Sequence, residues 1–224
     1  MLEEARVLGV VLAGGASSRF GTDKSIAGLC GKALLEWVIE RARPQVHTLL
    51  VNTNNDPGQD IVSQVAAQAL PAAIAGHDIL SHVERLSDDN PGEGPLAGIL
   101  AALDRASERG FTHVASFACD TPFFPSDTVV RLSGVLYQTG AGYAVARCGV
   151  TVHRIFALWP VSHLQTLHRA FTTGARSMRA IENWLTPAWA DFPPAGGPDG
   201  DPFFNINAPD DLAIAERWLA GSVP

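Results

Sequence analysis

The first apolar run of the chain, Val7–Ala13, is unbroken and ends directly in two glycines, Gly14 and Gly15. An unbroken run of this length is typical of a strand that is buried on both faces, as strands are in a parallel sheet. The two glycines indicate a tight turn at the end of that strand, because glycine accepts backbone angles that other residues avoid. The beginning of the chain therefore favours a sheet that is covered on both sides.

Further runs typical of strands alternate with stretches of helical spacing. Ser126, with Asp127 behind it, is predicted to cap a helix that reaches Gln138. The segment Pro71–Gly94 shows no clear hydrophobic period of either a helix or a strand. The alternation predicts an α/β fold, a Rossmann-like, open, mostly parallel sheet with helices on both faces. We expect a single domain over residues 1–224. Ligands should bind outside the carboxyl ends of the strands. The other predicted strands are Val46–Val51, His113–Cys119, Tyr143–Arg147 and Val150–Leu158, and the predicted helices are Ala33–Arg43, Ile61–Leu70, Leu96–Glu108 and Pro209–Leu219.

Composition excludes several classes of protein. The 224 residues are 46% hydrophobic and 17% charged, which is enough apolar material for a large core. A net charge of −7 argues against nucleic-acid binding, and no stretch approaches the roughly 18 apolar residues of a membrane span. Met1–Arg6 is mildly acidic, unlike the start of a secretory signal, and the 3 cysteines form no CxxC pair. We therefore expect a cytoplasmic protein that binds neither nucleic acid nor membrane.

The segment Leu12–Lys24, with the sequence LAGGASSRFGTDK, is the most informative motif. Gly14 and Gly15 allow backbone N–H groups to approach phosphate oxygens closely, and Arg19 and Lys24 supply positive charge. The segment is neither a Walker A motif nor GxGxxG. Two glycines alone would indicate only a tight turn. Together with the two cations, they favour a cradle for a triphosphate.

This motif resembles the LAGGxSxRMGxDK signature of the MobA family of molybdenum cofactor guanylyltransferases, with Phe20 where the family usually has Met. The resemblance spans nearly the whole chain. It implies a fold like that of the nucleotide-diphospho-sugar transferases. It also implies Mg²⁺-dependent transfer of GMP from GTP to the phosphate of Mo-molybdopterin, which releases pyrophosphate and forms the molybdopterin guanine dinucleotide cofactor. The matching blocks that follow in family order are Val51-Asn52, Asp88-Asp89, Gly94–Gly98, Phe117–Pro122 and Asn205–Asn207.

The resemblance also implies site residues. Asp120 ends a predicted strand, and a hard carboxylate oxygen suits Mg²⁺, although an aspartate there could instead cap the following turn. Asn205 and Asn207 alternate on an extended segment, and the resemblance implies that they lie on the molybdopterin side of the site. The alternative is that they form a turn before the last helix. Arg19, Lys24 and Asp120 are the catalytic candidates. The implied nucleotide-binding residues are Leu12, Ala13, Gly14, Gly15, Lys24, Asn52, Asp88 and Asp120, with Asp89 an open alternative to Asp88 for reading guanine.

The chain offers no nucleophile with a matching base, so direct in-line transfer is expected. His153 lies in a segment like the family's His-Pro strand, but Arg154 replaces Pro, and we leave His153 outside the catalytic set. The implied partners are GTP, Mo-molybdopterin and, transiently, proteins that carry molybdopterin or molybdoenzymes that receive the cofactor. Two alternatives are a related cytidylyltransferase acting on molybdopterin or a sugar or polyol phosphate, and a non-catalytic nucleotide-binding delivery protein. Leu-Ala-Gly-Gly argues against the first, because the cytidylyl relatives usually show Ala-Ala-Gly.

Overall fold

The computed structural model describes residues 5–13, 27–53, 62–63, 65, 83–87 and 93–222. Within these ranges the strands are β1 (Val7–Leu12), β2 (Gly28–Leu29), β3 (Lys32–Ala33), β4 (Thr48–Thr53), β5 (Glu84–Ser87), β6 (His113–Ala118), β7 (Tyr143–Cys148), β8 (Thr151–Pro160) and β9 (Pro187–Phe192). The helices are α1 (Leu34–Ala42), α2 (Pro95–Glu108), α3 (Thr128–Thr139), α4 (Leu164–Thr172) and α5 (Pro209–Ser222).

Seven of these strands form one sheet in the order β5-β4-β1-β6-β8-β7-β9. The strand β1 pairs in parallel with β4 on one side and with β6 on the other, and β5 and β9 also pair in parallel with their neighbours. Only β8 runs against the strands beside it, β6 and β7. The predicted open, mostly parallel sheet is therefore confirmed.

Helices cover both faces of this sheet, as predicted. Apolar side chains of α1 and α3, such as Leu35, Ile39 and Leu132, are buried against one face. Those of α2 and α4, such as Leu103 and Leu167, are buried against the other face. This arrangement explains why β1 is apolar at every position, since all six of its residues are buried.

A third apolar cluster joins the last helix to the loop that follows β6. Phe123, from that loop, packs with Ile206 and with Ala215 of α5. The ring centroids of Phe123 and Trp218 are 4.8 Å apart. The cluster also includes Leu29 and Leu34, so the β2–β3 hairpin and α1 share it. It therefore holds the segment before α5 against the residues that leave the sheet at β6.

Several predicted boundaries and one predicted cap were wrong. The strand predicted at Val46–Val51 is β4, two residues further on, and the helix predicted from Ala33 begins at Leu34, because Ala33 belongs to a hairpin. The hairpin turns through Cys30 and Gly31, whose φ angles are 50° and 78°. The helix predicted over Ile61–Leu70 falls mostly outside the described residues.

The start of α3 corrects the predicted cap. Neither Ser126 nor Asp127 caps the helix with its side chain, and the carboxylate of Asp127 instead pairs with Arg131 at 2.7 Å. The backbone N–H of Val129 donates to Oε1 of Gln45, 3.0 Å away on another element. A tertiary contact thus replaces the local cap that the sequence predicted. Among the helices of the described ranges, none is long and apolar enough to cross a membrane.

Candidate active site

Three central strands end at the same level. Leu12 of β1 lies opposite Asn52 of β4 and Ala118 of β6 in the sheet register. Beyond the strands, the N–H of Ala13 donates to the carbonyl of Asn52 at 2.9 Å, and the N–H of Cys119 donates to the carbonyl of Leu12 at 3.4 Å. The ends of the three strands, with Ala13 and Cys119, therefore lie side by side at the carboxyl edge of the sheet, where open α/β sheets bind ligands.

Asn52 is a buried polar residue at this edge, only 3% exposed. Its Nδ2 donates to the carbonyl of Leu86 on β5, 3.4 Å away. On the other side it lies against the backbone of Gly98 in α2, where a Cβ atom would be 2.4 Å from Oδ1 of Asn52. The sequence predicted Asn52 as a site residue but missed the role of Gly98. A glycine inside an otherwise apolar helix was the available signal.

Asp120 is half-buried and lies two residues beyond the end of β6. The hydroxyl of Thr121 donates to its Oδ1 at 3.3 Å, and its backbone carbonyl accepts the N–H of Ile206 at 2.9 Å. Among the described residues, no group of three or more His, Cys, Asp or Glu side chains could hold a metal ion. Mg²⁺ typically binds through one or two carboxylates together with substrate phosphates, so a single carboxylate at this edge fits such an ion.

The segment that carries Asn205 and Asn207 lies beside Asp120 because of the hydrogen bond from Ile206. Ile206 is fully buried, whereas Asn205 is exposed and Asn207 is half-buried. This alternation is the one expected of an extended segment with one face in the core. The Oδ2 atom of Asp211 accepts the N–H groups of Asn207 and Ala208 at 2.8 and 2.9 Å, which fixes the segment at the N-terminus of α5. The structure thus places both asparagines next to the end of β6.

His153, on β8, packs against the segment that precedes Asn205. Its ring stacks on Phe203 with centroids 4.6 Å apart, and its Nε2 is 3.5 Å from Oδ1 of Asp201. The Nε2 atom is buried and makes no hydrogen bond within the part of the chain that the structure describes. Burial lowers the pKa of His153, and the charge of Asp201 opposes that shift. The exclusion of His153 from the catalytic set stays a prediction.

The remaining predicted site residues lie outside the described residues. They fall in two segments: residues 14–26, after Ala13, and residues 88–92, after Ser87 of β5. The roles predicted for these residues, and for the described site residues, stay predictions. The site residues outside the description are Gly14, Gly15, Arg19, Lys24 and Asp88, together with Asp89.

Comparison with known proteins defines the class of this chain. Residues 9–188 match the model of the MobA-like NTP transferase domain, and the chain belongs to that family. A protein of Rhizobium meliloti named molybdenum cofactor guanylyltransferase is 38% identical over 216 residues, which cover 94% of this chain and 90% of that protein. A second protein of the same name, from Nitrobacter hamburgensis, is 38% identical over 95% of this chain and 94% of its own length.

A solved structure agrees with the sequence relatives. The molybdopterin-guanine dinucleotide biosynthesis protein A of Archaeoglobus fulgidus superposes with a TM-score of 0.68 at 26% identity, covering 96% of this chain and 99% of that chain. The family resemblance predicted from the sequence motifs is therefore confirmed, and with it an enzyme of the nucleotidyltransferase class.

Proposed function

We propose that this protein is a molybdenum cofactor guanylyltransferase, which transfers GMP from GTP to the phosphate of Mo-molybdopterin and releases pyrophosphate. The observation that carries this proposal is the hydrogen bond from Ile206 to Asp120, because it joins the segment of Asn205 and Asn207 to the strand edge of Leu12 and Asn52. Two substrates could then meet at Asp120. The names of the relatives support the same reaction.

The nucleotide half of the proposed site lies around β1 and β4. Leu12 and Ala13, which we assign to the nucleotide, lie at the strand edge next to the buried amide of Asn52. We assign Gly14, Gly15, Arg19 and Lys24 to the triphosphate, because glycine backbone and cationic side chains suit phosphate oxygens. Asp88 is assigned to guanine, since a carboxylate can accept hydrogen bonds from the ring N1–H and the exocyclic amine.

In the proposed reaction, the protein's own residues position the two substrates and neutralise phosphate charge. A phosphate monoester has its second pKa near 6, so the molybdopterin phosphate is largely ionised at neutral pH and needs no strong base. Arg19 and Lys24 would balance the charge on the triphosphate, while Asn205 and Asn207 would hold the acceptor in line with the α-phosphorus. Asp120 would bind Mg²⁺, which supplies further neutralisation of phosphate charge when it is bound. We also propose that the reaction takes place in the cytoplasm, where a molybdoenzyme could receive the product.

GTP with Mg²⁺ is expected to raise the melting temperature more than CTP or ATP does at the same concentration. A ligand present at about 100 times its Kd stabilises the native state by about 2.7 kcal/mol. In a chain of this size that corresponds to roughly 5 to 11 °C. Differential scanning fluorimetry with each nucleotide, with and without Mg²⁺, makes the measurement. Equal shifts for all three nucleotides would contradict the guanine assignment, and a larger shift with CTP would favour the cytidylyl alternative.

A further inference from the structure

A cavity of about 490 Å³ lies between α1, α3, α5 and the end of β9. Pockets for small molecules typically enclose roughly 300 to 1,000 Å³, so this cavity is large enough for a ligand. Asp120, Asn52 and the segment of Asn205 and Asn207 are not among the residues that line it. The side chains that give the cavity its chemistry are Arg41, Phe123, Asp127, Arg131, Phe192 and Trp218.

Arg41 is a half-buried cation without a carboxylate partner in the described part of the chain. Its Nη1 donates to the carbonyl of Phe124 at 3.3 Å, and that is one of the five N–H groups of a guanidinium. The carboxylate of the neighbouring Glu40 pairs instead with Lys32. Burial lowers the pKa of Arg41, and the charge of Glu40 opposes that shift only in part. Arg41 therefore brings a partly desolvated positive charge to the cavity wall, which is unfavourable unless an anion accompanies it.

The other charges in the wall nearly cancel. Arg131 and Asp127 pair with each other, with Nε 2.7 Å from Oδ2. Two arginines and one aspartate leave one positive charge in the described lining, although the whole chain carries a net charge of −7. The cavity is therefore complementary to an anion, in contrast to the chain as a whole.

Aromatic rings, together with prolines, form the apolar part of the wall. Phe123 and Trp218 pack with centroids 4.8 Å apart, and the guanidinium carbon of Arg131 lies 5.3 Å above the ring of Phe192. Phe123 and Phe192 are buried, whereas Trp218 is half-buried, so Trp218 is the ring of these three that a flat ligand can contact by stacking or by an edge. We infer that this cavity binds a small planar aromatic anion, with the anionic group at Arg41 and the ring against Trp218. The inference does not depend on the proposed transferase reaction.

The indole N–H signals of the 5 tryptophans provide a direct readout. In ¹H–¹⁵N spectra of the whole protein, Trp218→Phe identifies the Trp218 signal. The probe is 1-naphthoate, and uncharged 1-naphthalenemethanol is the matched control. We expect 1-naphthoate to shift the Trp218 signal in a saturable manner, and the alcohol to bind at least about tenfold more weakly, because it cannot accept a charge-assisted hydrogen bond pair from Arg41.

Charge variants test the inference in opposite directions. Arg41→Gln should weaken 1-naphthoate binding at least about tenfold, whereas Arg43→Gln, an exposed arginine that does not line the cavity, should leave it unchanged. Asp127→Asn should strengthen binding about threefold or more, because it frees Arg131. Asp127 makes no side-chain cap to its helix, so this variant should fold even if Arg41→Gln does not. Equal binding of the acid and the alcohol, or unchanged or weaker binding to Asp127→Asn, would overturn the inference.

Discussion

Asp120→Asn is expected to reduce guanylyl transfer at least about 100-fold while GTP binding stays close to that of the unchanged protein. The substitution removes the charge that we assign to the metal ion but keeps nearly the same shape. The two contacts of Asp120 described above can survive it, since Ile206 donates to the backbone carbonyl and the hydroxyl of Thr121 can donate to an amide oxygen. The melting temperature should therefore change little. Transfer rate, Mg²⁺ dependence, GTP affinity and melting temperature are measured on one preparation.

Asp199→Asn is the matched control, because Asp199 is exposed and its φ of 53° is one that asparagine accepts readily. This control should show normal transfer. If Asp120→Asn turned over at the normal rate with unchanged Mg²⁺ dependence, the metal assignment would be wrong. A large drop in melting temperature would instead favour a role for Asp120 in capping the turn.

Gly98→Ala is expected to destabilise the protein by about 1 to 3 kcal/mol, the usual cost of overpacking a core. The added Cβ would stand 2.4 Å from Oδ1 and 2.9 Å from Cγ of Asn52, and Asn52 is buried with little room to move. In a chain of this size the melting temperature should fall by roughly 2 to 12 °C. Because the displaced amide belongs to the proposed nucleotide site, GTP affinity should fall as well. Thermal unfolding and GTP titration provide the two measurements.

Gly134→Ala in α3 is the control for this substitution. No atom lies within 4 Å of a Cβ added at Gly134, so alanine there should be neutral or stabilising by up to about 1 kcal/mol. Asn52→Ala should in addition relieve part of the cost of Gly98→Ala, because the double variant loses the overlapping amide. Strictly additive effects of the two substitutions, or a stability of Gly98→Ala equal to that of the unchanged protein, would show that the contact is not tight.

The sequence predicts the five inner strands of the sheet and misses its two edge strands. The run Val7–Ala13 contains no polar side chain and β6 is apolar at four of its six positions, so their pattern is visible without tertiary information. The strand β5 buries only Leu86, and β9 buries Phe192 and two alanines, a residue type of low strand propensity. Both are edge strands held by their neighbours in the sheet. Local pattern could not reveal them.

The same distinction applies to the candidate site. The position of Asn52 and Asp120 at the sheet edge could be predicted, because each follows or closes a recognisable strand. The contact of Asn52 with Gly98 could not be predicted, nor could the bond from Ile206 to Asp120, since each joins segments that are distant in the sequence. The capping of α3 by Gln45 was missed for that reason also. Distant contacts of this kind arise only once the sheet has assembled.

The most direct test of the proposed function is a transfer assay with purified protein, Mo-molybdopterin, Mg²⁺ and either GTP or CTP. The proposal predicts molybdopterin guanine dinucleotide and pyrophosphate in equal amounts from GTP, and at most a small fraction of that yield from CTP. The product is identified by mass spectrometry after extraction. A preference for CTP, or GTP binding without any dinucleotide product, would contradict the proposal.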